Sequence, residues 1–141
     1  MNIPKLTAEQ VKVEVQRFWN TFVEKNAEQL MEFYGPESSV FSSVTSRSEP
    51  GRLAAARRQR EYFHKASVLR ATPNLVDVVM IGDHAAIASY NFQFHATKVA
   101  NSFSQSTEED IKQGRATQVF QYDNEGKLRI VHEHLSAVDK H

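Results

Sequence analysis

Residues 116–137 read ATQVFQYDNEGKLRIVHEHLSA, two runs rich in β-branched, aromatic and alternating residues on either side of Asn124-Glu125-Gly126. Such runs about a glycine-containing turn predict a hairpin. A second hairpin precedes it, because NLVDVVMIG (74–82) and AAIASYNFQFHATK (85–98) flank the Gly82-Asp83 turn signal. Between the two hairpins VANSFSQSTEEDIKQG (99–114) is polar and serine-rich, and a loop or a short extra helix is expected there.

Upstream the period changes from two to that of a helix. Thr7 stands three residues before Gln10, a capping-box spacing, and Val11, Val15, Phe18, Trp19, Phe22 and Val23 fall on one stripe. Asn26 can cap a second, short helix carrying Leu30, Met31 and Tyr34, which Gly35-Pro36 should stop. SSVFSSVT (38–45) reads as a strand. Pro50 suits the first turn of a third helix, GRLAAARRQREYFHKA (51–66), with Leu53, Ala56, Phe63 and Ala66 inward. Helices first and a meander afterwards describe a single α+β domain over residues 1–141, with helices on one face of an antiparallel sheet.

Seventeen basic residues balance seventeen acidic ones, so no global field favours nucleic acid or an anionic membrane, and neither is expected as a partner. The start, MNIPKLTAEQ, lacks the basic end and apolar core of a secretory signal, and no apolar run approaches the ~20 residues that span a bilayer. A cytoplasmic protein is expected. The absence of cysteine excludes disulfides, thiolate metal sites and cysteine nucleophiles.

The segments MIGDHAAIASYNF (80–92) and ATQVFQYDNEGKLRIVHEHLSA (116–137) resemble the nuclear transport factor 2-like (SnoaL-like, cystatin-like) superfamily. Within it they are most similar to the association domain of calcium/calmodulin-dependent protein kinase II. That family shows a Gly-Asp/Glu turn into an Ala-rich strand, then a Thr-Arg-Val-Trp strand, an Asp-Gly turn and a final Val-His-x-His-x-Ser strand. The resemblance implies a cone-like curved antiparallel sheet wrapped around the N-terminal helices. It further implies a pocket at the open end and subunits that pair through the sheet. The family's pocket arginines correspond here to Gln118, Asn91 and Leu135, all uncharged. A cavity suited to a carboxylate through guanidinium contacts thus becomes a semi-polar one.

Side chains alternate along a strand, so His132 and His134 share one face while Val131, Glu133 and Leu135 share the other, which the match of Leu135 to a family pocket arginine implies is the pocket face. A carboxylate at Glu133 in a narrow apolar cone would be desolvated and its pKa raised, making it a candidate catalytic base or acid. The alternatives are a pair with an arginine, such as Arg115 or Arg60, or a position at the solvated rim. Asp77, inside an apolar run, is a second candidate acid or else a residue of a solvated strand face. The early strand carries no acid of the kind steroid-isomerase-like members use, although Tyr34 adjoins it and joins the expected ligand-binding set. Trp19 and Phe120 either pack the core or line the cavity. If Asn91 faces the cavity, Tyr90, Phe92 and Phe94 face outward, so either the correspondence slips by one residue or this row is an interface.

A His-x-His pair could begin a zinc site with His95 or an acid as third ligand, but the spacing alone is weak and no metal is expected. The first functional reading is a self-associating, small-molecule-binding domain, at least a dimer, with no cofactor. The alternatives are an enzyme of the same fold doing proton-transfer chemistry (isomerase, cyclase or dehydratase) and a pure oligomerisation module.

Overall fold

The computed structural model describes residues 3–42, 49–50, 52, 60, 64, 66–98 and 108–137. Two helices, α1 (Ala8–Val23) and α2 (Ala27–Met31), precede the strands β1 (Tyr34–Ser42), β2 (Glu49–Pro50), β3 (Ala66–Ile81), β4 (Ala85–Lys98), β5 (Glu108–Tyr122) and β6 (Leu128–Ala137). The third helix expected over 51–66 lies outside the described residues apart from Arg52, Arg60, His64 and Ala66, the last of which opens β3.

Helix α1 begins where its caps dictate. The Thr7 hydroxyl accepts from the Gln10 N–H at 3.2 Å, and the Gln10 side chain accepts from the Thr7 N–H at 2.8 Å. Its inward stripe of Val11, Val15, Phe18 and Trp19 is buried. Asn26 caps α2 in the same way, accepting from the Gln29 N–H at 3.1 Å. That helix stops before Tyr34, which was expected to belong to it. The chain is captured instead by β6: the Ile130 N–H donates to the Phe33 carbonyl at 2.6 Å, and Tyr34 pairs with Ile130 in register.

The sheet runs β2-β1-β6-β5-β4-β3 and is open, with β2 and β3 at its edges. Four of its pairings are antiparallel; β1 lies parallel to β6, so the sheet is mixed. Both predicted hairpins are present. Gly82 and Gly126 occupy the left-handed region (φ 65° and 79°) that glycine enters without steric cost. In the second turn the Asp123 carboxylate accepts from the Glu125 and Lys127 N–H groups, each at 2.9 Å. Residues 108–114, expected in a loop or helix, are instead the start of β5, where they pair along β4 from Lys98 to Phe92.

One irregularity sets what faces the helices. Val119 pairs with His132 but Phe120 pairs with Ile130, so Val131 is an extra residue in β6. Such a bulge resets the alternation. Ile130, Glu133 and Leu135 therefore oppose the inward residues Phe120, Gln118 and Ala116, and Val131 does not share their face as simple alternation predicts. A continuous row crosses the inner face of the sheet: Val78, Ala88, Gln118, Glu133, Val40. Ala86 and Ala88 carry so little bulk that α1 can lie close over β3 and β4.

Candidate functional site

Five buried polar or amphipathic side chains meet on that inner face. The Trp19 indole N–H donates to the Tyr90 hydroxyl at 2.9 Å, and the Tyr90 O–H donates to the Gln118 carbonyl oxygen at 2.6 Å. The Gln118 amide donates in turn to Glu133 Oε2 at 2.7 Å. From the other side the Tyr34 hydroxyl stands 2.9 Å from both Glu133 oxygens. Gln118 and Tyr34 are 0% exposed and Glu133 1%, so the chain of contacts is removed from water.

Chemistry fixes the direction of every bond. An indole nitrogen can only donate and a carboxylate can only accept, so the proton of each group between them must point toward Glu133. The Gln118 amide then has one consistent orientation. Tyr90 is held as a neutral donor: burial pushes its phenol well above the usual range and the nearby Glu133 charge adds to this, while the Trp19 contact acts weakly the other way.

The expected site residues separate into two groups. Glu133, Gln118, Tyr34, Trp19 and Phe120 lie in one buried cluster, and Leu135 is half-buried against it. Asn91 and Asp77 do not join them. Asn91 is exposed because Tyr90 and Phe92, its neighbours on β4, point inward, and strand alternation sends Asn91 to the outer face. Asp77 is exposed, paired with Ser89 on the same outer face, so it is no second acid beside Glu133. Two arginines named as partners of Glu133 are placed elsewhere. Arg60 pairs with Glu28 at 2.7 Å, and Arg115 is exposed.

Tyr90 was the residue missed. With Asn91 inward it would belong to an outward interface row; the one-residue slip holds instead, since it is 5% exposed and stands at the centre of the network, and Phe92 stacks on Trp19 with ring centroids 4.7 Å apart. The signal for it was the parity it shares with Ala86 and Ala88. Those small residues are the side of β4 that a helix can approach. The Phe94 side chain lies outside the described residues.

The histidines take other roles. His132 Nδ1 is 2.7 Å from the Ser39 hydroxyl, on the face away from Glu133, and His134 is exposed. His95 cannot complete a site with them: it pairs with Ile111, whereas His132 pairs with Val119, eight residues along the same strand. At ~3.3 Å per residue that is about 26 Å. Among the described residues no group of three or more His, Cys, Asp or Glu side chains could hold a metal ion.

Clefts lined by described residues open away from this cluster. One, of about 680 Å³, lies between α1, α2 and the start of β6 and includes Glu14, Arg17, Arg52 and Arg129. Burial raises the Glu14 carboxyl above its ordinary pKa, with Arg17 and then Arg129 opposing the shift. Among the described residues no helix is long and apolar enough to cross a membrane.

The fold has many solved relatives. A nuclear transport factor 2-like superfamily protein from Salmonella enterica matches with a TM-score of 0.78 at 20% identity, covering 94% of this chain and 91% of that one. The calcium/calmodulin-dependent kinase II hub homology domain from Chlamydomonas reinhardtii matches with a TM-score of 0.70 at 22% identity, covering 94% and 98%. A ketosteroid isomerase-like protein from Erwinia carotovora atroseptica matches with a TM-score of 0.74 at 9% identity, covering 92% and 94%. At such identities the likeness is one of fold. No curated protein matches the sequence. Residues 11–140 match the SnoaL-like domain, and the chain belongs to that family, within the nuclear transport factor 2-like superfamily.

Proposed function

We propose that this domain binds a small, uncharged polar molecule between its helices and its sheet, with Glu133, Gln118 and Tyr34 as polar anchors and Trp19, Phe120 and Leu135 as apolar wall. The observation that carries the reading is the buried Glu133 carboxylate held by Tyr34 and Gln118. Taking a carboxylate out of water costs several kcal/mol, and an apolar core of the same shape is often as stable or more so. A module that only assembles has no need of such a group. A ligand bearing a hydroxyl or amide can exchange into the donor set around Glu133, whereas an anionic ligand meets like charge. Two unit charges ~4 Å apart repel by about 4 kcal/mol at an effective dielectric of ~20.

The test is a thermal-shift screen of small alcohols and amides against the matching carboxylates, since a ligand raises stability with the logarithm of its concentration over its Kd. The uncharged set should give the larger shifts, and Glu133→Gln should narrow the gap. Carboxylates that stabilise best in both proteins, and still do so in an Arg52→Gln background, would sink the reading.

A second reading is favoured by the Tyr34–Glu133 contact, a phenol donor against a buried carboxylate, which is an acid/base pair suited to isomerisation, cyclisation or dehydration. The Erwinia relative named as ketosteroid isomerase-like is consistent with it. Compounds found in the screen would then exchange a carbon-bound proton with D₂O. Exchange unaffected by Tyr34→Phe and Glu133→Gln would exclude the pair.

Self-association to at least a dimer belongs to the same proposal, but on a different surface from the one the sequence indicated. Leu75, Val79 and Ile81 of the edge strand β3 are 75%, 62% and 48% exposed, and the Chlamydomonas relative is a hub homology domain. Light scattering at micromolar concentration should report more than one chain per particle; a monomer there would remove the proposal.

A further inference from the structure

We propose a second binding site, for the oxyanion headgroup of a small molecule, in the cleft between α1, α2 and the start of β6. The cleft has a volume of about 680 Å³ and sets Arg17, Arg52, Lys127 and Arg129 against Glu14 and Glu32. Most of these charges are already engaged. Arg17 pairs with Glu14 at 3.4 Å and lies over the Phe33 ring at 4.9 Å. Arg129 is held by Asp123 at 3.1 Å and by the Glu32 carbonyl. Lys127 reaches Glu125 only at 3.9 Å, and both side chains are well exposed, so that pair is weak.

Arg52 is different. It is half-buried, and its Nε donates to the Tyr34 carbonyl at 3.0 Å. Among the described residues no carboxylate lies within ion-pair distance of it, and neither Nη group is committed. A backbone carbonyl accepts a hydrogen bond but does not neutralise a charge. A guanidinium partly withdrawn from water, with its Nε fixed and its two Nη groups free, presents the paired donors that take a carboxylate or phosphate bidentately. Lys127 adds a second charge at the same opening. Setting aside the pairs Arg17–Glu14 and Arg129–Asp123, Arg52 and Lys127 exceed Glu32 by one charge (2 − 1). That balance suits a singly or doubly charged headgroup and not a polyanion.

The site is separate from the Glu133 cluster, since neither Glu133 nor Gln118 lines the cleft and Tyr34 meets Arg52 only through its backbone. Isothermal titration of the full chain at low ionic strength, with inorganic phosphate and with succinate as probes, tests it. Saturable binding in the millimolar range or tighter is expected, and the tighter probe identifies the headgroup. Arg52→Gln should weaken it by about tenfold or more, as loss of a charge-assisted pair does, with Arg52→Lys between the two. Lys127→Ala, at an exposed side chain, should weaken it by about two- to fivefold without disturbing the fold. Glu133→Gln should leave it unchanged, which separates this site from the interior one. No saturable binding of either probe, wild-type affinity in Arg52→Gln, or loss in Glu133→Gln would overturn the proposal. Should Arg52→Gln fail to fold, wild-type affinity in Lys127→Ala would overturn it alone.

Discussion

A Trp19→Ala protein should lose about 3–5 kcal/mol of folding stability in urea denaturation, the range for deleting a large aromatic from a closed core. Trp19 is 3% exposed, stacks on Phe92, and meets Phe18, Phe22 and Tyr90 edge-on. Its removal opens a cavity against all four rings and leaves the Tyr90 oxygen without its indole donor. Trp19→Phe separates the two effects, because it keeps an aromatic body but removes the N–H. That variant should cost roughly 1–3 kcal/mol, part volume and part unsatisfied hydroxyl. A loss below ~1 kcal/mol in Trp19→Ala would mean that the indole only walls the space a guest occupies and does not also hold the four rings together.

The second large effect comes from one missing side chain. Gly114 sits opposite Phe92 across β4 and β5, and a Cβ built there would fall 2.2 Å from the Phe92 ring tip, with two further ring atoms at 2.6 and 2.8 Å. The ring therefore lies over the glycine. It cannot simply swing away, because its other side is stacked on Trp19. Gly114→Ala should cost about 1–3 kcal/mol by overpacking, and the same change in a Phe92→Leu background should cost at least ~1 kcal/mol less. Equal losses in the two backgrounds, by chemical denaturation, would show that the ring and the glycine are not coupled.

Local signals carried most of the fold. The Thr7–Gln10 cap, the stripe from Val11 to Trp19, and the turns at Gly82 and Gly126 all formed where short-range chemistry placed them. What failed depended on register between distant strands. Whether Asn91 or Tyr90 points at the helices is decided by Ala88 meeting Gln118, a pairing of residues thirty apart that no local pattern specifies. The extra residue at Val131 shifts the alternation of β6 in the same silent way: Glu133 was placed on the inner face correctly, but with Val131 in place of Ile130 beside it. The parallel contact of β1 with β6 took Tyr34 off its expected helix and delivered its hydroxyl to Glu133. Asp77 shows the reverse case, where the ordinary explanation of an acid on a solvated strand was the right one.

The row from Trp19 to Glu133 transmits orientation but not protons. A carboxamide keeps both of its N–H bonds, so Gln118 is an insulating joint: no hydrogen ion can pass through it from the Tyr90 side to the carboxylate. Dipoles do pass that joint. A guest that draws the Gln118 amide away from Glu133 also turns its carbonyl from Tyr90, and the disturbance arrives at the indole N–H. Trp19 is the single tryptophan of the chain, so under the proposed function its ultraviolet emission would report a guest at the far end of the row.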